Sequence, residues 1–199
     1  RLLMLRSGES IILHTFSTPQ NAQLPKRCVT ECFGSEIDMD GKWTLRFTEE
    51  APKVSGTFTL SSPQTWETLS EEAAVTMGTG IYETTFKMGK PEGQYAIDLG
   101  DVRESARVYI NDVFVGCAWS VPYILRFDNT ILKKGKNTLR IEVTNLPANR
   151  IADLDRKGVE WRKFEEINVV DIKYQKTKYY NWAPMPSGLN SDVRIYAVE

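Results

Sequence analysis

The stretch Tyr95–Asn145, YAIDLGDVRESARVYINDVFVGCAWSVPYILRFDNTILKKGKNTLRIEVTN, decides the fold class. Apolar and polar residues alternate in short runs, as in strands with one face in a core and the other in water. Ala106, Val108 and Ile110 alternate with Arg107 and Tyr109. Asn111-Asp112 then forms the loop of a hairpin to Val113–Val115, and position 111 suits a positive φ. Ile124, Arg126 and Asp128 share one face of the next run, with Leu125 and Phe127 on the other. The turn Lys134-Gly135-Lys136-Asn137 leads into Leu139, Ile141 and Val143. Tyr95–Leu99 is a nearly continuous apolar strand.

The flanks follow the same grammar. Upstream, Gly80–Met88 alternates, and Ser55–Leu60 holds β-formers. An Asp40-Gly41 turn precedes Trp43, Leu45 and Phe47, and Glu9–Phe16 reads as a first strand. Glu67–Ala74 fits one helical turn. Downstream of Leu146 the alternation fades. Ala148–Asp155 suits a short helix, Val159–Phe164 another turn, and Val169–Tyr174 a strand. Asn181–Gly188 is a Pro-rich loop, and Asp192–Val198 alternates again as the closing strand.

About eight or nine short strands without interleaved helices predict an all-β antiparallel sandwich and disfavour a parallel α/β sheet. The expectation is a single domain over residues 1–199. Within it, 1–37 supply an N-terminal strand and connection, and 146–190 form a loop and short-helix insertion before the last strand. Such insertions are where scaffolds carry functional loops.

Composition narrows the function classes. Basic and acidic residues number 25 and 26, so no basic stripe suggests nucleic acid. No apolar run is long enough for a membrane span. The opening Arg-Leu-Leu-Met-Leu-Arg has no initiator Met or signal peptide, so the chain is expected to be a fragment of a longer protein. The odd cysteine count, Cys28, Cys32 and Cys117, rules out a fully paired framework. Cys117 falls in a strand and is expected to be a small buried apolar residue, and a Cys28–Cys32 disulfide stays open.

Several motifs, in order and spacing, resemble the jelly-roll sugar-binding domain of family 2 glycoside hydrolases. These are Gly-Ile-Tyr-Glu-Thr-Thr-Phe at 80–86, Asp-Leu-Gly-Asp-Val at 98–102 and Ala-Arg-Val-Tyr-Ile-Asn-Asp at 106–112. Val-Gly at 115–116, Pro-Tyr at 122–123, Leu-Lys-Lys-Gly-Lys-Asn-Thr-Leu at 132–139 and Val-Thr-Asn at 143–145 complete the set. The flanks resemble the C-terminal region of family 106 α-L-rhamnosidases. They are residues 5–13, Asp-Gly-Lys-Trp-Thr-Leu-Arg-Phe at 40–47, residues 144–153 and Pro-Ser-Gly-Leu-Asn-Ser-Asp-Val-Arg-Ile at 186–195.

The resemblance implies a jelly-roll, galactose-binding-domain-like β-sandwich of a large bacterial glycoside hydrolase. It would be a non-catalytic accessory domain, packed on the parent's catalytic domain, in the periplasm or outside the cell. The catalytic carboxylates of that family lie in a separate domain, so no catalytic residue carries over. Asp38 and Asp40 before Gly41 look like the start of a calcium loop, but the later ligands of an EF-hand are missing and a plain Asp-Gly turn is favoured; since domains of this kind often hold a structural calcium, such an ion stays open. Alternatives are a free carbohydrate-binding module for plant or pectic oligosaccharide, or a purely structural domain.

Sugar-binding candidates lie in the loops, where aromatic faces stack on pyranose C–H groups and polar side chains bond hydroxyls. Trp119 and Tyr123 bracket one loop. Asn149, Arg150, Asp153 and Asp155 crowd the start of the insertion, and Trp161 and Trp182 lie further in. Against this, Trp119 could plug the sandwich end, and Arg150 could simply pair with Asp153. The doublets Glu49-Glu50, Glu71-Glu72 and Glu165-Glu166 are expected to be surface charge, since adjacent residues on a strand point to opposite faces. His14, the only histidine, is expected to be structural.

Overall fold

The computed structural model describes residues 5, 10–18, 33–39, 41–162 and 177–198. In chain order the strands are β1 (Phe33–Ile37), β2 (Trp43–Ala51), β3 (Phe58–Leu60), β4 (Met77–Met88), β5 (Gln94–Asp98) and β6 (Val102–Arg103). They continue as β7 (Ser105–Ile110), β8 (Val113–Ala118), β9 (Ile124–Asp128), β10 (Gly135–Thr144), β11 (Gly188–Leu189) and β12 (Arg194–Val198). Two α-helices interrupt them, α1 (Glu71–Val75) and α2 (Ala148–Arg156), with short 3-10 turns at Trp66–Thr68 and Asn129–Ile131.

The strands form two main antiparallel sheets. One is six-stranded, in the order β3-β2-β4-β10-β7-β8, and the other four-stranded, β1-β12-β5-β9. A short pair, β6 with β11, ties the insertion to the rest. The alternation sets which face is which. Leu45, Tyr82, Ile141 and Val108 line up across β2, β4, β10 and β7 and are all fully buried. Ile97, Phe127 and Ile195 come from the other sheet, and both sets join one core. This is an all-β sandwich.

Local chemistry closes the turns. Asn111 and Asp112 take φ of 50° and 64°, so the β7–β8 hairpin has the mirror-image turn that matches strand twist. Asn137 is fully buried but satisfied. Its Oδ1 accepts from Lys133 N and Asn111 Nδ2, both at 2.8 Å, and its Nδ2 donates to the Lys133 carbonyl at 2.8 Å.

Some expectations change. Residues 10–16 are in no strand; Ile12 is 96% exposed, so their alternation has no core to face. The sheet edge beside β12 is taken by β1 instead, with Ile37 opposite Ile195. The strand at Ser55–Leu60 shrinks to β3. Cys117 lies on β8 as expected but is exposed, because the register sets it opposite the outward-facing Arg107. Glu71 and Glu72 belong to α1, so the strand rule did not apply to them, though both are exposed. Residues 159–162 form no regular element. The strand expected at Val169–Tyr174, the end of the turn expected at Val159–Phe164, Cys28, Cys32, Asp40 and Glu165-Glu166 lie outside the described residues.

Candidate functional site

Register gathers the candidate loops. Thr79, Thr144 and Ser105 sit side by side on β4, β10 and β7, and Ala118 lies opposite Ala106. The segment entering β4, the insertion after β10 and the Trp119–Tyr123 loop therefore share one end of the sandwich.

Asn145 ties that end together. Its Nδ2 donates to the Thr76 carbonyl (3.0 Å) and the Ser187 hydroxyl (3.1 Å), and its Oδ1 accepts from Gly78 N (3.0 Å). Helix α2 follows and holds the returning loop. Asn149 Nδ2 donates to the Met185 carbonyl and its Oδ1 accepts from Met185 N, both at 2.8 Å. Asp155 accepts from the backbone N–H groups of Tyr179 (2.7 Å) and Tyr180 (3.0 Å). Partial desolvation would push the Asp155 carboxyl up. The Tyr179 and Tyr180 N–H groups, Trp161 and Arg162 outweigh it, and the pKa falls. Asp153 is buried and takes Arg150 at 3.1 Å and Lys157 at 2.9 Å, so the simple pairing of Arg150 with Asp153 is what the fold contains.

Among the aromatic candidates the structure joins two. Trp161 meets Tyr179 edge-on at 5.5 Å, and Tyr179 meets Trp182 at 4.7 Å. The Arg162 guanidinium lies over Trp161 (5.2 Å) and Tyr179 (5.1 Å). Asp155, Trp161, Arg162, Thr177 and Tyr180 line a cavity of about 290 Å³. Tyr179 and Arg162 were missed in the sequence, although each stands within a few residues of a tryptophan that was chosen. Trp119 and Tyr123 stand outside this ring cluster. Trp119 is 74% exposed, which overturns its reading as a plug. Burial pushes the Tyr123 phenol up, Glu104 and Asp101 add to this, and Arg103 opposes it.

A buried polar cluster beneath the loop was also missed. Trp66 Nε1 donates to the Tyr82 hydroxyl (2.9 Å), as does Leu189 N (3.2 Å), and that hydroxyl donates to the Gln64 carbonyl (3.0 Å). Gly188, at φ +90°, lies so close that a Cβ there would meet both the Trp66 indole and the Tyr82 hydroxyl. Beside them, both Glu67 carboxylate oxygens are buried and have no partner at hydrogen-bonding geometry. Burial pushes the Glu67 carboxyl up, against the opposing pull of its own backbone N–H and of Thr65 and Ser187. Asp38 is exposed, Asp40 lies outside the described residues, and no three His, Cys, Asp or Glu side chains converge among the described residues. No helix among the described residues is long and apolar enough to cross a membrane.

No protein-family model matches the chain. A solved rhamnosidase from Novosphingobium sp. PP1Y contains a similar fold. It is 25% identical, with a TM-score of 0.63, over 88% of this chain and 16% of that one. The chain shares its fold with one part of that enzyme. A protein of Formosa agariphila, provisionally named a β-glucuronidase, is 30% identical over 180 residues, 80% of this chain and 15% of its own length. The β-glucuronidase of Bifidobacterium dentium shares the fold at 18% identity, with a TM-score of 0.54. The chain thus spans about one sixth of the length of the first two relatives. Its likeness is to one domain of glycoside hydrolases, covered only in part.

Proposed function

We propose that this chain is a non-catalytic accessory domain of an α-L-rhamnosidase-like glycoside hydrolase, and that it packs on the catalytic portion of its parent in the periplasm or outside the cell. The observation that carries this is the match to the Novosphingobium rhamnosidase, which takes in 88% of this chain but only 16% of that enzyme. A domain so placed needs a face for the remainder. Leu146, Met185, Val159, Tyr180 and Trp182 are each at least 40% exposed and flank α2. Exposed apolar residues in this number around one helix are what an interaction surface needs. The α2 clamps on Met185 and on Tyr179-Tyr180 keep that surface in a fixed shape.

The test separates the parent into this chain and the remainder, made as two polypeptides. Association measured by calorimetry, together with aryl-rhamnoside hydrolysis by the remainder and not by this chain, is the expected result. Failure of the pieces to associate, with full activity in the remainder alone, counts against packing. Hydrolysis by this chain alone would overturn the non-catalytic reading.

A further inference from the structure

The outer face of the six-stranded sheet carries a different chemistry at the same end of the sandwich. Register aligns Thr48, Thr79, Thr144 and Ser105 in one row across β2, β4, β10 and β7. The Thr79 and Thr144 hydroxyls are 2.9 Å apart. That pair shares one hydrogen bond, which leaves each of the two oxygens able to accept and one of the two hydroxyls free to donate. The next row places Ile81, Glu142 and Arg107 together. Ile81 is only 6% exposed, yet it lies outside the core cluster between the sheets. Its side chain is therefore sunk into the outer surface. The two rows line a groove of about 430 Å³.

One further group reaches this groove through irregular backbone. In an unbroken strand Thr48 and Glu49 would point to opposite faces. Here the register shifts between Thr48 and Ala51, and Glu49 takes φ 53°. Both side chains consequently line the groove. Gly78 allows this, because a Cβ there would come within 2.7 Å of Glu50 Cα. Bulges of this kind re-aim side chains, and a bulky residue in the left-handed region costs energy that the rest of the fold must offset.

We propose that this groove is a binding site for a neutral saccharide. The hydroxyl row both donates to and accepts from sugar hydroxyls, Glu49 and Glu142 accept from them, and Arg107 donates. Ile81 supplies an apolar floor for a C–H face. Trp119 follows the groove-lining Cys117 by two residues and is 74% exposed, which leaves its ring free to stack on a sugar. Arg140 holds Glu142 at 2.7 Å and so fixes its carboxylate. The carboxylates of Glu49 and Glu142 are matched by Arg107 and Arg140, so the groove holds no excess charge to attract an anionic sugar. The groove uses no residue of the α2 surface, so its failure as a site and the failure of the packing reading are separate results.

The experiment titrates the isotope-labelled 199-residue chain with galactobiose, mannobiose, xylobiose and methyl α-L-rhamnoside, with digalacturonate as the charged comparator, and reads backbone amide shifts. The expected result is saturable shifts at Thr79, Ile81, Glu142 and Thr144 for at least one neutral probe, and weaker ones for digalacturonate. Thr79→Val removes a hydroxyl and Glu49→Gln replaces one charged acceptor oxygen by an amide donor, each keeping shape, and Glu49→Gln should weaken binding about tenfold. Their thermal midpoints should match the parent chain, which shows that they fold. The proposal is overturned by no saturable shift with any neutral probe, by shifts confined to residues 177–187, by a preference for digalacturonate, or by undiminished binding in both folded variants.

Discussion

Glu67 and Tyr82 lie within one buried cluster and make opposite demands on it. Glu67 has its carboxylate oxygens out of water and unpaired, and its pKa is raised by that burial. A raised carboxyl pKa means the folded chain holds this proton where the unfolded chain has released it. The contribution of Glu67 to stability is therefore fully present below its unfolded pKa, and is lost as pH rises through the folded one. Glu67→Gln, which is neutral at every pH, should flatten that fall and leave the domain more stable at neutral pH. Urea unfolding between mildly acidic and neutral pH checks this, and parallel curves for the two chains would contradict it. Tyr82 is satisfied, and its hydroxyl serves two buried donors. Tyr82→Phe strands the Trp66 indole N–H and the Leu189 N–H, at a cost of about 1–3 kcal/mol. Denaturant melts of Tyr82→Phe should show that loss with an unchanged slope. None of this was legible beforehand, because Trp66, Glu67 and Tyr82 meet only through pairing that the sequence does not display.

At the level of elements, legibility followed periodicity. Strands β4, β7 and β10 sit where alternation placed them, since burial on one face enforces the pattern. The helix expected at Ala148–Asp155 is α2. Alternation misled at residues 10–16, where no partner strand or core gives it meaning. It was a poor guide at Glu49 too, where a bulge reverses the facing of a residue. The insertion was recognised as irregular, but its clamps could not be read, because the Asn149 side chain bonds the backbone of Met185, 36 residues away. Asn149→Ala removes both bonds of that clamp. Stability should fall by about 1–3 kcal/mol, and amide exchange at Met185 should speed up while that of Ile141 in the core keeps pace only with global unfolding. Equal acceleration everywhere would mean that the clamp holds the whole sandwich rather than one loop.

At the scale of the whole molecule, the residues that keep it folded are distinct from those of the proposed packing face. The core lies between two sheets and is built by residues such as Leu45, Tyr82, Ile97 and Ile141, each fully buried. The α2 surface is built by Leu146 and Met185, exposed at 49% and 40%. The two sets should respond oppositely to substitution. Ile141→Ala leaves a cavity and should cost about 2–5 kcal/mol in the isolated chain. Substitutions of exposed residues usually stay within about 0.5 kcal/mol, so the double variant Leu146→Asp, Met185→Asp should melt like the parent chain. In association with the remainder of the proposed parent the order should reverse. Two carboxylates placed in an apolar contact must be desolvated without a partner, so the double variant should bind far more weakly. Ile141→Ala, assayed below its melting range, should bind as the unaltered chain does. A double variant that still associates normally would move the packing face away from α2, and the exposed apolar side chains there would then need another explanation.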